Sequence, residues 1–220
     1  MTYEFRWDVI PSNLDFILSG LGQTLVICAA TLVASIFGGL AIALLDMSRH
    51  RALRWTGMGF GEIIRNTPIL VQILWVYYVL PMAFGISIEA LPAAIIALSV
   101  YSSAFLAEAY RAGIQAVPLG QRESALVLGL SPWHTFHRIV LPQAVRLTLP
   151  AIAANFVQLI KYSSLASVIS VSEITRRGME LSATAFRPLE IFTFIAIVYF
   201  AICWPLAMAI RLWERRLARQ

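Results

Sequence analysis

Residues 21–45 read LGQTLVICAATLVASIFGGLAIALL, a run without one charged side chain. A helix needs about 20 mostly apolar residues to cross the ~30 Å hydrocarbon core of a bilayer, so this run predicts a membrane-spanning helix. Working outward, comparable runs fall at residues 63–80, 91–109, 147–171 and 189–210. The second is expected to stop at Pro81. It carries Trp75, Tyr77 and Tyr78 at its outer end, an aromatic cluster suited to a membrane–water interface. The expected fold is an all-α integral membrane protein with about five transmembrane helices. Composition agrees: 59% of the 220 residues are hydrophobic and 13% charged, where a soluble domain carries ~25% charged residues. No repeat, low-complexity stretch or linker divides the chain, so a single membrane domain over 1–220 is expected.

A net charge of +5 raises the possibility of nucleic-acid binding. The arginines, however, sit in short loops beside apolar runs, which follows the positive-inside rule rather than a groove-binding patch. No nucleic-acid partner is expected. With the N-terminus outside, the outer segments hold Arg6, Arg176, Arg177 and Arg187. The inner loops and tail hold the other twelve arginines, from Arg49 to Arg219. Glu173, Glu180 and Glu190 offset the basic residues of the last outer loop. The expected arrangement is multi-pass, N-terminus outside and C-terminus cytoplasmic. The first fifteen residues carry acids and no basic n-region, so a cleavable signal peptide is not expected. Cys28 and Cys203 lie inside apolar runs, which indicates neither a disulfide nor a metal site.

The polar stretch between the third and fourth runs reads as folded. Residues 120–128 suit a short helix, and Gly129 stands where a C-terminal cap belongs. Ser131 before Pro132 is a helix-start signal, an N-cap with proline in the first turn. The second helix is expected to reach about Val140 and end before Pro142. The product is a helix–turn–helix within residues 118–142, on the cytoplasmic membrane face, with its tight turn exposed. Such a knob suits either a groove on a partner or a resting place on lipid headgroups, and the residues alone leave both open.

Glu123-Ser124-Ala125, three residues, Gly129, nine residues, Ile139, one residue and Leu141-Pro142 resemble the E-A-A-x3-G-x9-I-x-L-P motif of ATP-binding-cassette (ABC) importer permeases. Ser124 stands where the family often has Ala. The stretches GLGQTL (20–25), RNTPILVQ (65–72), AEAYRAGI (107–114) and LIKYSSL (159–165) are similar to polar amino-acid permeases of the histidine, glutamine and arginine type. The resemblance runs from about Phe5 to the end. Asn66 stands where the family usually has Gly, and Tyr162 where it often has Asp or Asn, which leaves the choice of amino acid open. The resemblance implies that residues 123–130 form a coupling helix seated in a cleft of an ATPase subunit, with Glu123, Ser124, Ala125, Gly129, Leu130 and Ser131 at the contact. It also implies an ABC ATPase dimer, a second permease chain (identical or paralogous) and an extracytoplasmic solute-binding protein, in the bacterial cytoplasmic (inner) membrane.

Lys161 is the chain's only lysine and no Gly-Lys-Ser/Thr occurs, so a phosphate-binding loop is missing. ATP and Mg are therefore expected on a partner chain, with no cofactor or metal in this one. A charge near the bilayer centre costs about 2.5–3.5 kcal/mol on insertion scales and should face protein or water. Lys161, well inside the fourth run, either meets the carboxylate of a passing amino acid or snorkels outward to Glu173. Asn155, Gln158 and Tyr162 form a polar stripe on the same helix, serving either the substrate path or interhelical hydrogen bonds. Gln72, in the second run, is a further path candidate. Glu108 is expected to pair with Arg111 or Arg65.

Intramembrane enzymes need Ser with His, or His-Glu-x-x-His, at membrane depth. His50, His134 and His137 all fall in loops, so no catalytic residue is assigned. An ion-coupled secondary transporter, which would want acids in mid-membrane, is the alternative reading.

Overall fold

A one-turn helix α1 (Val9–Ser12) leads into α2 (Leu14–Asp46), which at ~1.5 Å rise per residue reaches about 50 Å, ample for a bilayer. The computed structural model describes residues 3–217. Met1, Thr2 and Ala218–Gln220, and with them Arg219 of the arginine count, lie outside the described residues. The order continues with α3 (Arg51–Arg65), α4 (Ile69–Leu74), a π turn (Trp75–Val79) and α5 (Leu80–Phe84). Then come α6 (Ala90–Gln115), α7 (Leu119–Val127), α8 (Pro132–Thr135), a second π turn (Phe136–Val140), α9 (Leu141–Tyr162), a 3-10 stretch (Ser163–Ile169), α10 (Ile174–Ala185) and α11 (Pro188–Leu217). Among the described residues, four helices are long and apolar enough to cross a membrane: Leu14–Asp46, Ala90–Gln115, Pro132–Ile169 and Pro188–Arg216. The bent pair Arg51–Arg65 and Ile69–Phe84 makes a fifth when taken as one crossing.

That pair departs from the expected second span. Residues 63–80 are not one helix, because the two arms meet at 104°. Thr67 precedes Pro68, and the residue before a proline is driven out of the helical region by the ring. Pro68 itself is extended (φ −59°, ψ 131°) and starts α4. At the far end Pro81 does not stop the helix. It falls in the first turn of α5, directly after the π turn, where the helix tolerates a missing N–H, and the helix ends at Gly85 in the left-handed region. The fourth span differs in the same way. Pro142 lies inside a helix that runs unbroken from Pro132 to Ile169, entered through the π turn whose closing bond joins Leu141 N–H to Phe136 O. The second arm of the hairpin is thus the first turns of a span, not a separate short helix.

The described residues gather into two units. In one, formed by the stretch ending at Leu32 with Pro68–Ser99 and Phe156–Met208, Ile27, Ile73, Leu98 and Ile169 are fully buried in one cluster and Ile17, Ile174 and Ile191 in another. Glu173 caps α10: its carboxylate accepts from Thr175 N at 2.9 Å, Arg176 N at 2.7 Å and the Tyr199 hydroxyl at 3.0 Å. Burial still pushes this carboxyl above the usual carboxylate range. Gly20 admits the capping turn, since a Cβ there would stand 2.6 Å from Glu173 C and Ile174 N. Gly20→Ala should therefore lower the melting temperature of the purified protein, with an overpacking cost of ~1–3 kcal/mol. An unchanged melting curve would show that the contact relaxes freely.

In the other unit, Val33–Thr67, Val100–Asn155 and the stretch from Ala209, Ile42, Ala43 and Ala107 pack together beside Tyr110. Val117, Val140 and Ala144 form a small core beneath the hairpin.

Candidate functional site

The hairpin is rigid for reasons readable in its caps. Leu130 N donates to Ala125 O and Gly129 N to Leu126 O, both at 3.0 Å, the paired bonds of a Schellman end. That geometry puts its closing residue at positive φ, and Gly129, at +76°, supplies it without a Cβ penalty. Ser131 then starts α8 with its hydroxyl accepting from His134 N at 3.4 Å and lying 2.8 Å from His134 Nδ1.

Two side-chain ties hold α7 down. Arg122 Nη2 donates to Ile114 O of α6 at 2.6 Å. Gln143 Nε2 of α9 donates to Gln121 Oε1, and to Ile139 O at 2.8 Å. Ala125 is buried at 1% exposure, which accounts for the small residue at that motif position. Glu123, Ser124, Gly129 and Ser131 are exposed and Leu130 is half-buried. At the tip Leu126, Val127 and Leu128 stand 56%, 87% and 78% exposed. No motif in the sequence singles out these three. Their signal was apolar side chains on a polar loop with no periodic partner.

The path candidates fall into two groups. On α9, Gln158 and Lys161 are exposed, three residues apart on one face. Lys161 lies in a groove of about 340 Å³ with Tyr199, Phe200, Cys203 and Trp204 of α11. Glu173, considered as its partner, is held by its own cap and by Tyr199. The others are engaged by protein: Asn155 Oδ1 accepts from Ser102 Oγ, Tyr162 packs against the Ile27–Ile73 cluster, and Gln72 is buried on α4. Glu108 pairs with Arg111 at 2.6 Å, and Arg65 with Glu62 at 2.6 Å.

A rigid, capped hairpin with an apolar tip, set between the third and fourth spans and carrying the E-S-A…G…I-x-L-P spacing, is an arrangement that can be compared with known proteins. The family described as binding-protein-dependent transport system inner membrane component matches residues 11–219. This chain belongs to that family. Among curated relatives of this permease, the glutamine transport system permease protein GlnP of Escherichia coli (strain K12) is 36% identical over 219 residues, covering 97% of this chain and 98% of that one. The L-cystine transport system permease protein TcyB of Bacillus subtilis (strain 168) is 36% identical over 215 residues, covering 97% and 92%. Among solved structures, an amino acid ABC transporter crystallised with histidines matches the permease at TM-score 0.92 and 34% identity, over 97% of this chain and 100% of that one. The permease is thus a multi-pass membrane component of a transport system.

Proposed function

We propose that this permease is the transmembrane subunit of an ATP-driven importer that moves a polar amino acid from a binding protein into the cytoplasm by alternating access. The observation that carries the reading is the bare apolar tip Leu126–Val127–Leu128 on a turn stiffened by Gly129 and the Arg122 and Gln143 ties. An exposed apolar patch on rigid support is a protein-docking feature. Its occupant is one subunit of an ABC ATPase dimer, which binds ATP and Mg, because this chain has no phosphate-binding loop of its own. Glu123, Ser124, Gly129, Leu130 and Ser131 frame the contact, and Ala125 seats the helix beneath it. The arginine asymmetry supports a topology with the hairpin and C-terminus in the bacterial cytoplasm and the N-terminus outside.

A second permease chain, the same or a paralogue, completes the pore, and an extracytoplasmic solute-binding protein delivers substrate. Lys161 offers its ammonium to the amino acid's carboxylate and Gln158 hydrogen-bonds beside it. Asn155, Tyr162 and Gln72 line or buttress the path. That GlnP and TcyB are named for glutamine and L-cystine transport supports an amino acid as the substrate class.

Uptake by the complex reconstituted in vesicles tests the reading. It should need ATP, the partner ATPase and the binding protein, and should persist when the proton gradient is collapsed. Uptake driven by an ion gradient with no ATPase present would replace it with a secondary transporter.

A further inference from the structure

Residues 191–210 of α11 carry no charged side chain. At ~1.5 Å per residue they cover about 30 Å, the thickness of the hydrocarbon core. Glu190 and Arg211 therefore mark the two edges of that core. At the Glu190 edge a strap of residues 3–7, outside any helix, is tied to α11. Glu190 is fully buried, and both its carboxylate oxygens are engaged by the strap. Oε1 accepts from Arg6 N at 2.8 Å and Oε2 from the Tyr3 hydroxyl. Arg187 adds a third tie, donating through Nη1 to Glu4 O at 2.7 Å with its guanidinium 5.6 Å from the centre of the Tyr3 ring. A buried carboxylate is costly unless hydrogen-bonded, so the strap is held where it satisfies Glu190.

The tied strap sets its aromatic side chains in one row. Tyr3 and Phe5 meet edge to face at 5.2 Å, and Phe5 and Trp7 stack at 6.3 Å. The three are 43%, 61% and 50% exposed. Arg6 and Asp8 pair with each other at 2.8 Å, which leaves the row itself free of charge. The level of the row decides what covers it. At the edge of the hydrocarbon core the neighbouring molecules are lipid headgroups, and rings with an apolar body and a polar tip, as in Tyr and Trp, concentrate there.

We propose that residues 3–7 are an interfacial anchor, in which Glu190 holds the strap on α11 while Phe5 and Trp7, with the Tyr3 ring beside them, insert among the lipid headgroups. The anchor fixes the depth at which α11 begins in the bilayer. It requires only that the chain lie in a membrane. It is independent of the substrate, the ATPase and the side of the membrane that this end faces.

Tryptophan fluorescence of the full-length permease in lipid vesicles tests it, with Trp7→Phe as the difference control. Trp7 is half-exposed and phenylalanine is a smaller ring, so the variant should fold. The emission of Trp7, wild type less variant, should be lost to lipids brominated near the ester linkage. Lipids brominated near the chain ends should quench it less, and iodide on both sides of the membrane should leave it largely intact. Quenching by iodide in preference to bromine would place the row in water and overturn the proposal. Quenching by neither would mean that protein covers Trp7, a second copy or a partner, and would overturn it as well.

Discussion

A permease carrying Val127→Asp is expected to fold normally and to lose ATP-driven uptake. The side chain is 87% exposed, so the isolated subunit loses no packing. In the complex the same position would sit at the centre of a desolvated apolar contact, where a hot-spot residue is worth at least ~2 kcal/mol, or roughly thirtyfold in association. A carboxylate placed there adds a charge with no partner to the lost contact. Co-purification with the ATPase should fail, and hydrolysis should no longer respond to the binding protein. Glu123→Lys and Gly129→Asp approach the same surface differently: the first reverses an exposed charge, and the second adds a Cβ at φ +76°. Normal uptake with the ATPase still attached in Val127→Asp would remove the coupling role from this hairpin.

The second large effect is expected at Lys161. Lys161→Met places an apolar side chain of similar length in a groove already lined by Phe200 and Trp204, so the fold should tolerate it. If the ammonium holds the substrate's carboxylate, its loss removes a charged hydrogen bond and should raise the KM for uptake about 10–100-fold. Attachment of the ATPase should be unaffected. Lys161→Arg keeps the charge and should recover part of the loss. Unchanged KM with a shifted melting temperature would assign Lys161 to structure instead.

Spans were legible because the bilayer sets a length and a polarity that composition alone meets, as at residues 21–45. The hairpin was legible through cap chemistry: Gly129 and Ser131-Pro132 are local signals, and each occupies the cap position its type prefers. The 104° corner before Ile69 rests on the single dipeptide Thr67-Pro68 inside an otherwise apolar stretch, which a span's length and polarity do not reveal. Pro81 and Pro142 have the residue type of stop signals and are not stops, because each follows a π turn. Such turns depend on neighbouring packing and leave no residue pattern. The polar stripe on α9 illustrates the same limit. Periodicity grouped Asn155, Gln158 and Tyr162 on one helix, but only tertiary structure turns Asn155 to Ser102 and Tyr162 into an apolar cluster, leaving Gln158 and Lys161 open.

Three neighbouring bare hydrophobics at the hairpin tip also bear on the life of the protein in the cell. Made in excess of what covers it, this subunit would display adhesive surface to chaperones and proteases, and stray copies would clump or be degraded. Matched synthesis with the covering chain would then be a condition of its persistence, and an orphaned copy would be short-lived.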